Sequence, residues 1–102
     1  MDKKQAIAIA QQYAEEVKKE VSPEQIVMYG SYSADTAKDD SDIDVAVIFN
    51  GFEGDFLHIS SLLWKLTRRV SSYIEPILVD MTEDRSGFAA EIMRTGEVLY
   101  RR

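Results

Sequence analysis

Asp42 and Asp44 are the residues whose type and spacing best suit them to hold a divalent cation. They alternate with Ile43 and Val45, so the period of two along a strand sets both carboxylates on one face and both apolar groups on the other. Their Cα atoms lie roughly 6.6 Å apart on such a strand, close enough for converging side chains to share one or two ions. Without a cation, two carboxylates drawn to about 4 Å repel by roughly 1 to 4 kcal/mol at effective dielectrics of 80 to 20. Oxygen-only ligands of this kind suit Mg²⁺ or Mn²⁺ better than zinc, above all where phosphates and waters complete the coordination. Gly30 and Ser31, directly after an apolar stretch ending at Tyr29, supply a second element. A glycine there lets the backbone approach a ligand closely, the following N–H groups point outward, and the serine adds a hydroxyl, so the turn can cradle phosphate.

The elements that must position these residues are legible in the hydrophobic pattern. Ala6, Ile7, Ala10, Tyr13, Ala14 and Val17 recur at spacings of three and four, which predicts a helix from Asp2 to Glu20. Val21, Ser22 and Pro23 break it, and Gln25 to Tyr29 reads as a short buried strand ended by Gly30. The polar segment from Ser33 to Ser41 reads as a helical turn and loop, and Asp42 to Phe49 as the second strand. Helical spacing of Phe56, Ile59, Leu62, Leu63, Leu66 and Val70 predicts a second long helix from Asp55 to Ser72, with Arg68 and Arg69 in its last turns. Tyr73 to Val79 is the third strand, and Pro76 within it implies an edge position or a missing ladder bond. Thr82 to Arg94 reads as a helix with Thr82 or Asp84 as N-cap and Gly96 as C-cap, and Val98 to Tyr100 as a tail able to pair with the sheet. This order specifies an α/β (α+β) domain, a small mixed sheet of three to four strands covered by helices. The crossover helix makes strands two and three parallel.

Composition narrows the function classes. The 102 residues suit a single domain over 1–102, and neither the hydrophobic fraction of 45% nor the charged fraction of 29% suggests disorder. There is no cysteine, so thiolate chemistry and disulfides are excluded. A net charge of −6 argues against duplex DNA as primary partner, because phosphate binding without metal needs clustered Lys and Arg. No apolar run is long enough to span a bilayer, which leaves the cytoplasm as the expected compartment. Whether the chain self-associates stays open.

Taken together, Gly30-Ser31, ten intervening residues and Asp42-Ile43-Asp44-Val45 resemble the signature of the DNA polymerase beta nucleotidyltransferase superfamily. Ile74-Glu75-Pro76 looks like that family's third acidic position, and the length is similar to its minimal stand-alone members. The resemblance implies Gly30 and Ser31 as phosphate-binding, Asp42 and Asp44 as metal ligands, and Glu75 as the third carboxylate, binding metal or taking the acceptor's proton. Asp80 competes for that third place, but it has the opposite strand parity. The implied cofactor is Mg²⁺ or Mn²⁺, with ATP or another nucleoside triphosphate as substrate. Minimal members of this kind pair with HEPN-domain toxins, so the implied reaction is transfer of AMP to a hydroxyl of such a partner. One departure stands out: where many minimal members carry Ala-Arg-Gly, this chain has Ser33-Ala34-Asp35, so a basic contact to phosphate is replaced by an acid. Lys38 is a weak substitute. The departure leaves two alternatives beside the enzyme, a weakened module acting by protein contact, and transfer to a small molecule of the aminoglycoside kind.

The remaining conspicuous residues have plain readings. His58 lacks an evident partner and reads as a solvent or capping residue. Trp64 and Phe56 read as core or interface, and Arg101-Arg102 as a frayed end.

Overall fold

The computed structural model describes residues 1–38 and 40–102; Asp39, in the segment read as a loop, lies outside the described residues. The chain runs α1 (Lys3–Glu20), β1 (Gln25–Tyr29), β2 (Ile43–Phe49), α2 (Phe56–Thr67), β3 (Ile74–Asp80), a 3-10 turn (Met81–Glu83), α3 (Phe88–Thr95) and β4 (Glu97–Arg101). The four strands form one mixed sheet in the order β3-β2-β1-β4. β1 pairs antiparallel with β2 and β4, and β2 pairs parallel with β3 across the α2 crossover.

Helices α1 and α2 cover one face and α3 the other. Ala6, Ala10, Tyr13, Ala14 and Val17 of α1 pack with Leu63 and Leu66 of α2 on Ile26, Met28, Ile43, Val45 and Val47 of the sheet. The buried Tyr13 hydroxyl donates to Leu63 O at 2.7 Å and ties the two helices together. On the opposite face Val27, Ala46, Ile48 and Val79 meet Ala89 and Ile92 of α3. Nearly every position of β2 is therefore buried, as expected of a strand covered on both faces, and Asp44 is its one polar interruption.

Helix α1 starts with a full capping box, Asp2 accepting from the Gln5 N–H at 2.8 Å while Gln5 Oε1 accepts from the Asp2 N–H at 3.0 Å. Pro76 lies on an edge strand. Tyr73 O accepts from the Ile43 N–H, so odd-numbered residues of β3 face β2 and Pro76 turns its missing donor outward, where no ladder bond is lost.

Two expectations from sequence are corrected. The second helix stops at Thr67 instead of running to Ser72, so Arg68 and Arg69 follow it in a tight turn. The N–H groups of Arg68, Arg69 and Val70 bond three residues back, and the Thr67 hydroxyl bonds Trp64 O at 2.7 Å, which closes the helix early. The span from Thr82 to Arg94 is two pieces. Asp80 caps the 3-10 turn through the Thr82 N–H, and Asp84 folds forward to accept from the N–H groups of Ala89 and Ala90 at 2.8 and 3.0 Å. Asp84 thus caps α3 from outside it, beyond Gly87.

Gly96 ends α3 as the pattern predicts, and the reason is space. A Cβ there would overlap the Val27 side chain and lie 2.8 Å from Ile92 O and 2.9 Å from Met28 O. Because two of these are backbone atoms, Gly96→Ala is expected to cost about 2 kcal/mol and lower the melting temperature by about 10 °C, read by circular dichroism. A change under 2 °C would show that β4 can move away freely.

Candidate active site

Three acidic side chains and one aromatic line up across the α3 face of the sheet. Tyr29 of β1 is the register partner of Asp44 in β2, and Asp44 is the register partner of Glu75 in β3. All three share the parity of the residues that pack on α3, so their side chains project to that side. Asp42, one step before β2, has the same parity, and its carboxyl group lies close enough to Glu75 to raise the Glu75 pKa.

Gly30 explains where the Asp44 carboxylate lies. Its φ of +77° turns the chain sharply out of β1, and Asp44 Oδ2 occupies the space a Cβ would fill, with Asp44 Cγ at 3.1 Å from that position. The glycine therefore makes room for a carboxylate of its own chain. After it, residues 31–35 form one helical turn closed by the Ala34 N–H on Gly30 O at 3.0 Å and the Thr36 N–H on Ser31 O at 2.9 Å. Among the described residues the N–H groups of Ser31 and Ser33 and the Ser31 hydroxyl have no intramolecular acceptor, so these donors are available to an anion.

The electrostatics are those of crowded carboxylates. Asp44 is held above the usual carboxylate range, first by burial and then by the charge of Asp42. Glu75 is raised by its hydrogen bond to Asp42, by desolvation, and by the charges of Asp42 and Asp44. Tyr29 is pushed up to about 12 by burial and then by the charges of Asp44 and Glu75, so its hydroxyl stays protonated as a donor. Its ring meets Phe88 edge-on at 5.8 Å, which ties the end of β1 to the start of α3. Sequence reading assigned neither Tyr29 nor Phe88 a role. The strand parity that pairs Tyr29 with Val27 was the available signal for the first, and nothing local marks the second.

The donor set suits a hard cation. Among the described residues, however, no three His, Asp or Glu side chains stand close enough to enclose an ion by themselves. Open carboxylates beside free N–H donors fit a cation delivered with phosphate, since Mg²⁺ is ordinarily held by one or two carboxylates together with substrate phosphates and waters.

The other candidates stay apart. Asp80 has the opposite parity and is spent on structure, accepting from the Thr82 hydroxyl at 2.6 Å and from the Thr82 and Gly51 N–H groups, which hold its pKa low. Asp35 adopts a left-handed φ of +60° and pairs with Lys3 at 3.2 Å, so its charge is drawn toward the start of α1. The Lys38 amine is exposed and engages no other described residue. His58 is exposed on α2, in the layer on the other side of the sheet.

Because both folded-state pKa values are raised, Asp44 and Glu75 favour the fold below their unfolded pKa values, and that contribution is lost as pH rises through the folded ones. With metal chelated, Asp44→Asn is therefore expected to melt a few degrees above the native chain at pH 7, a gain of about 1 kcal/mol at most after solvent screening. The gap should close as the pH falls below 3.8, the ordinary value for an aspartate, where the carboxyl is protonated in folded and unfolded chains alike. A lower melting temperature for Asp44→Asn at pH 7 would contradict the assigned repulsion.

Comparison with known proteins completes the description. A family model described as polymerase beta, nucleotidyltransferase, matches residues 11–102. Among curated proteins, none matches the chain. A solved structure described as a "putative nucleotidyltransferase from Sulfolobus solfataricus" is similar with a TM-score of 0.73 and 19% identity, over 98% of this chain and 84% of that one. A toxin-antitoxin structure with AMP-PNP is similar with a TM-score of 0.65 and 24% identity, over 90% of this chain and 73% of that one. At these identities the two structures establish a shared fold.

Proposed function

Since the chain belongs to the polymerase beta nucleotidyltransferase family, we propose that it transfers AMP from ATP to a hydroxyl group of a partner protein, a HEPN-domain toxin, and acts as its antitoxin. The observation that carries this reading is the alignment of Asp42, Asp44 and Glu75 beside the Gly30 turn and its free donors. A neighbour in fold solved as a toxin-antitoxin with AMP-PNP supports both the adenine nucleotide and the protein partner.

In this reading Asp42 and Asp44 would hold Mg²⁺, with Glu75 either as third ligand or as the base that takes the acceptor's proton, and the ion would supply charge neutralisation for the triphosphate. The N–H groups of Ser31 and Ser33 and the Ser31 hydroxyl bind phosphate oxygens, and the Tyr29 hydroxyl donates into the same space. The acceptor oxygen bonds to the α-phosphorus, and the bond from that phosphorus to the oxygen leading to the β-phosphate breaks. Pyrophosphate leaves, and the hydroxyl proton passes to Glu75 or to solvent.

A second reading rests on Ala34-Asp35. With no arginine at the turn and Asp35 held by Lys3, phosphate binding loses a cation, and the domain then acts on its partner by contact alone. Calorimetric titration with ATP and Mg²⁺ separates the two. Metal-dependent heat, followed by label passing from α-labelled ATP to the HEPN protein, supports transfer. No heat and no label at millimolar ATP, with the partner still bound, supports the contact module.

A further inference from the structure

Helix α2 presents a stripe with two large apolar side chains, Leu57 and Trp64, on the side turned away from the sheet. Leu57, Ser61, Trp64 and Arg68 recur at spacings of four, three and four, one helical face, opposite the face that buries Leu63 and Leu66. Leu57, in the first turn of α2, is 72% exposed and Trp64, toward its end, 49%, large values for apolar side chains on a helix face that no other element covers. Between them Ser60 and Ser61 are small, which lets a second helix approach closely.

We infer that this stripe is the contact between two copies of the chain, with the α2 helices antiparallel about a twofold axis passing between Ser60 and Ser61. A twofold contact must be complementary to itself, and this stripe is. In that arrangement Leu57 of each copy packs on Trp64 of the other, and Ser60 faces Ser61. The charges agree as well: Glu53 lies in the loop leading into the helix and Arg68 directly follows its last turn, so an antiparallel pair brings the acidic end of one copy to the basic end of the other. Among the described residues neither Glu53 nor Arg68 has an ion-pair partner within its own chain, whereas Arg69 is taken up by Glu16 at 3.4 Å. The carboxylates lie on the far side of the sheet, so both sites stay open in the dimer.

Two twelve-residue helices make a small contact, so the dimer is expected to form reversibly and only at high concentration. Sedimentation velocity of the whole chain tests this. The weight-average mass should climb from 11.6 kDa toward twice that value between about 1 and 500 µM. Leu57→Glu and Trp64→Glu should hold it at 11.6 kDa throughout. Glu53→Arg and Arg68→Glu should each shift the midpoint upward by about threefold or more, and the double variant should return it toward the native value. A native chain that stays at 11.6 kDa at the highest concentration overturns the proposal, even if another protein binds α2. So does a dimer that survives Trp64→Glu, or a charge exchange that restores nothing.

Discussion

Asp44→Asn is expected to lower nucleotidyl transfer by about 10³-fold or more while leaving the metal-free fold at least as stable as the native one. Three features make Asp44 the residue with the largest effect. It stands at the centre of the line Tyr29, Asp44, Glu75. It is the polar interruption in an otherwise buried strand, so no neighbouring side chain of β2 can take its place. Its carboxylate sits in the space left by Gly30, which fixes its position beside the free N–H groups of the turn. An amide has nearly the same shape and fills the same space, but it lacks the negative charge that a divalent cation needs. The variant therefore separates chemistry from folding, and the metal-free melting experiment at pH 7 serves as its control. Transfer of label from α-labelled ATP to the acceptor protein is the measurement. A variant retaining more than a tenth of native activity would remove Asp44 from the proposed machinery.

The second large effect is expected at Gly30. Alanine there must adopt a φ of +77°, which costs about 1 to 2 kcal/mol for a residue with a Cβ. The new methyl would also displace the Asp44 carboxylate. A side-chain end can swing aside where backbone cannot, so the clash should appear mainly as lost activity, by about 10²-fold, with only a modest fall in stability. Gly96→Ala differs in kind, since backbone carbonyls block that position and the expected loss is one of stability. A double variant isolates the cause at Gly30. In an Asp44→Ala background, Gly30→Ala should cost only the backbone part, and the two changes should be non-additive in stability. Full additivity would mean that the glycine serves the turn alone and does not make room for the carboxylate.

These two residues also show how the site divides between local and distant information. That Asp42 and Asp44 share a face followed from alternation along one strand, and that Gly30 ends β1 followed from a glycine after an apolar run; both are matters of a few consecutive residues. That Asp44 fills the missing side chain of Gly30 required the antiparallel register between β1 and β2. That Glu75 stands beside Asp44 required the parallel register between β2 and β3, set by a crossover whose length sequence periodicity misjudged by several residues.

The sequence by itself determined the elements and the fold class, because burial of apolar residues leaves a periodic trace along the chain, and helix, strand and breaker signals act within a few positions. It also excluded thiolate ligands and disulfides, since there is no cysteine. Only the tertiary structure decided which acids meet. Asp80 and Glu75 looked like competitors in sequence, and packing gave Asp80 to the Thr82 and Gly51 N–H groups and Glu75 to Asp42. Likewise only the fold showed that Asp84 would reach forward to cap α3 and that the Tyr29 ring would meet Phe88. The physical reason is the same in each case. A side chain's periodicity tells which face it takes, but its partner is chosen by register and by loops that bring distant residues together, and neither leaves a local pattern to read.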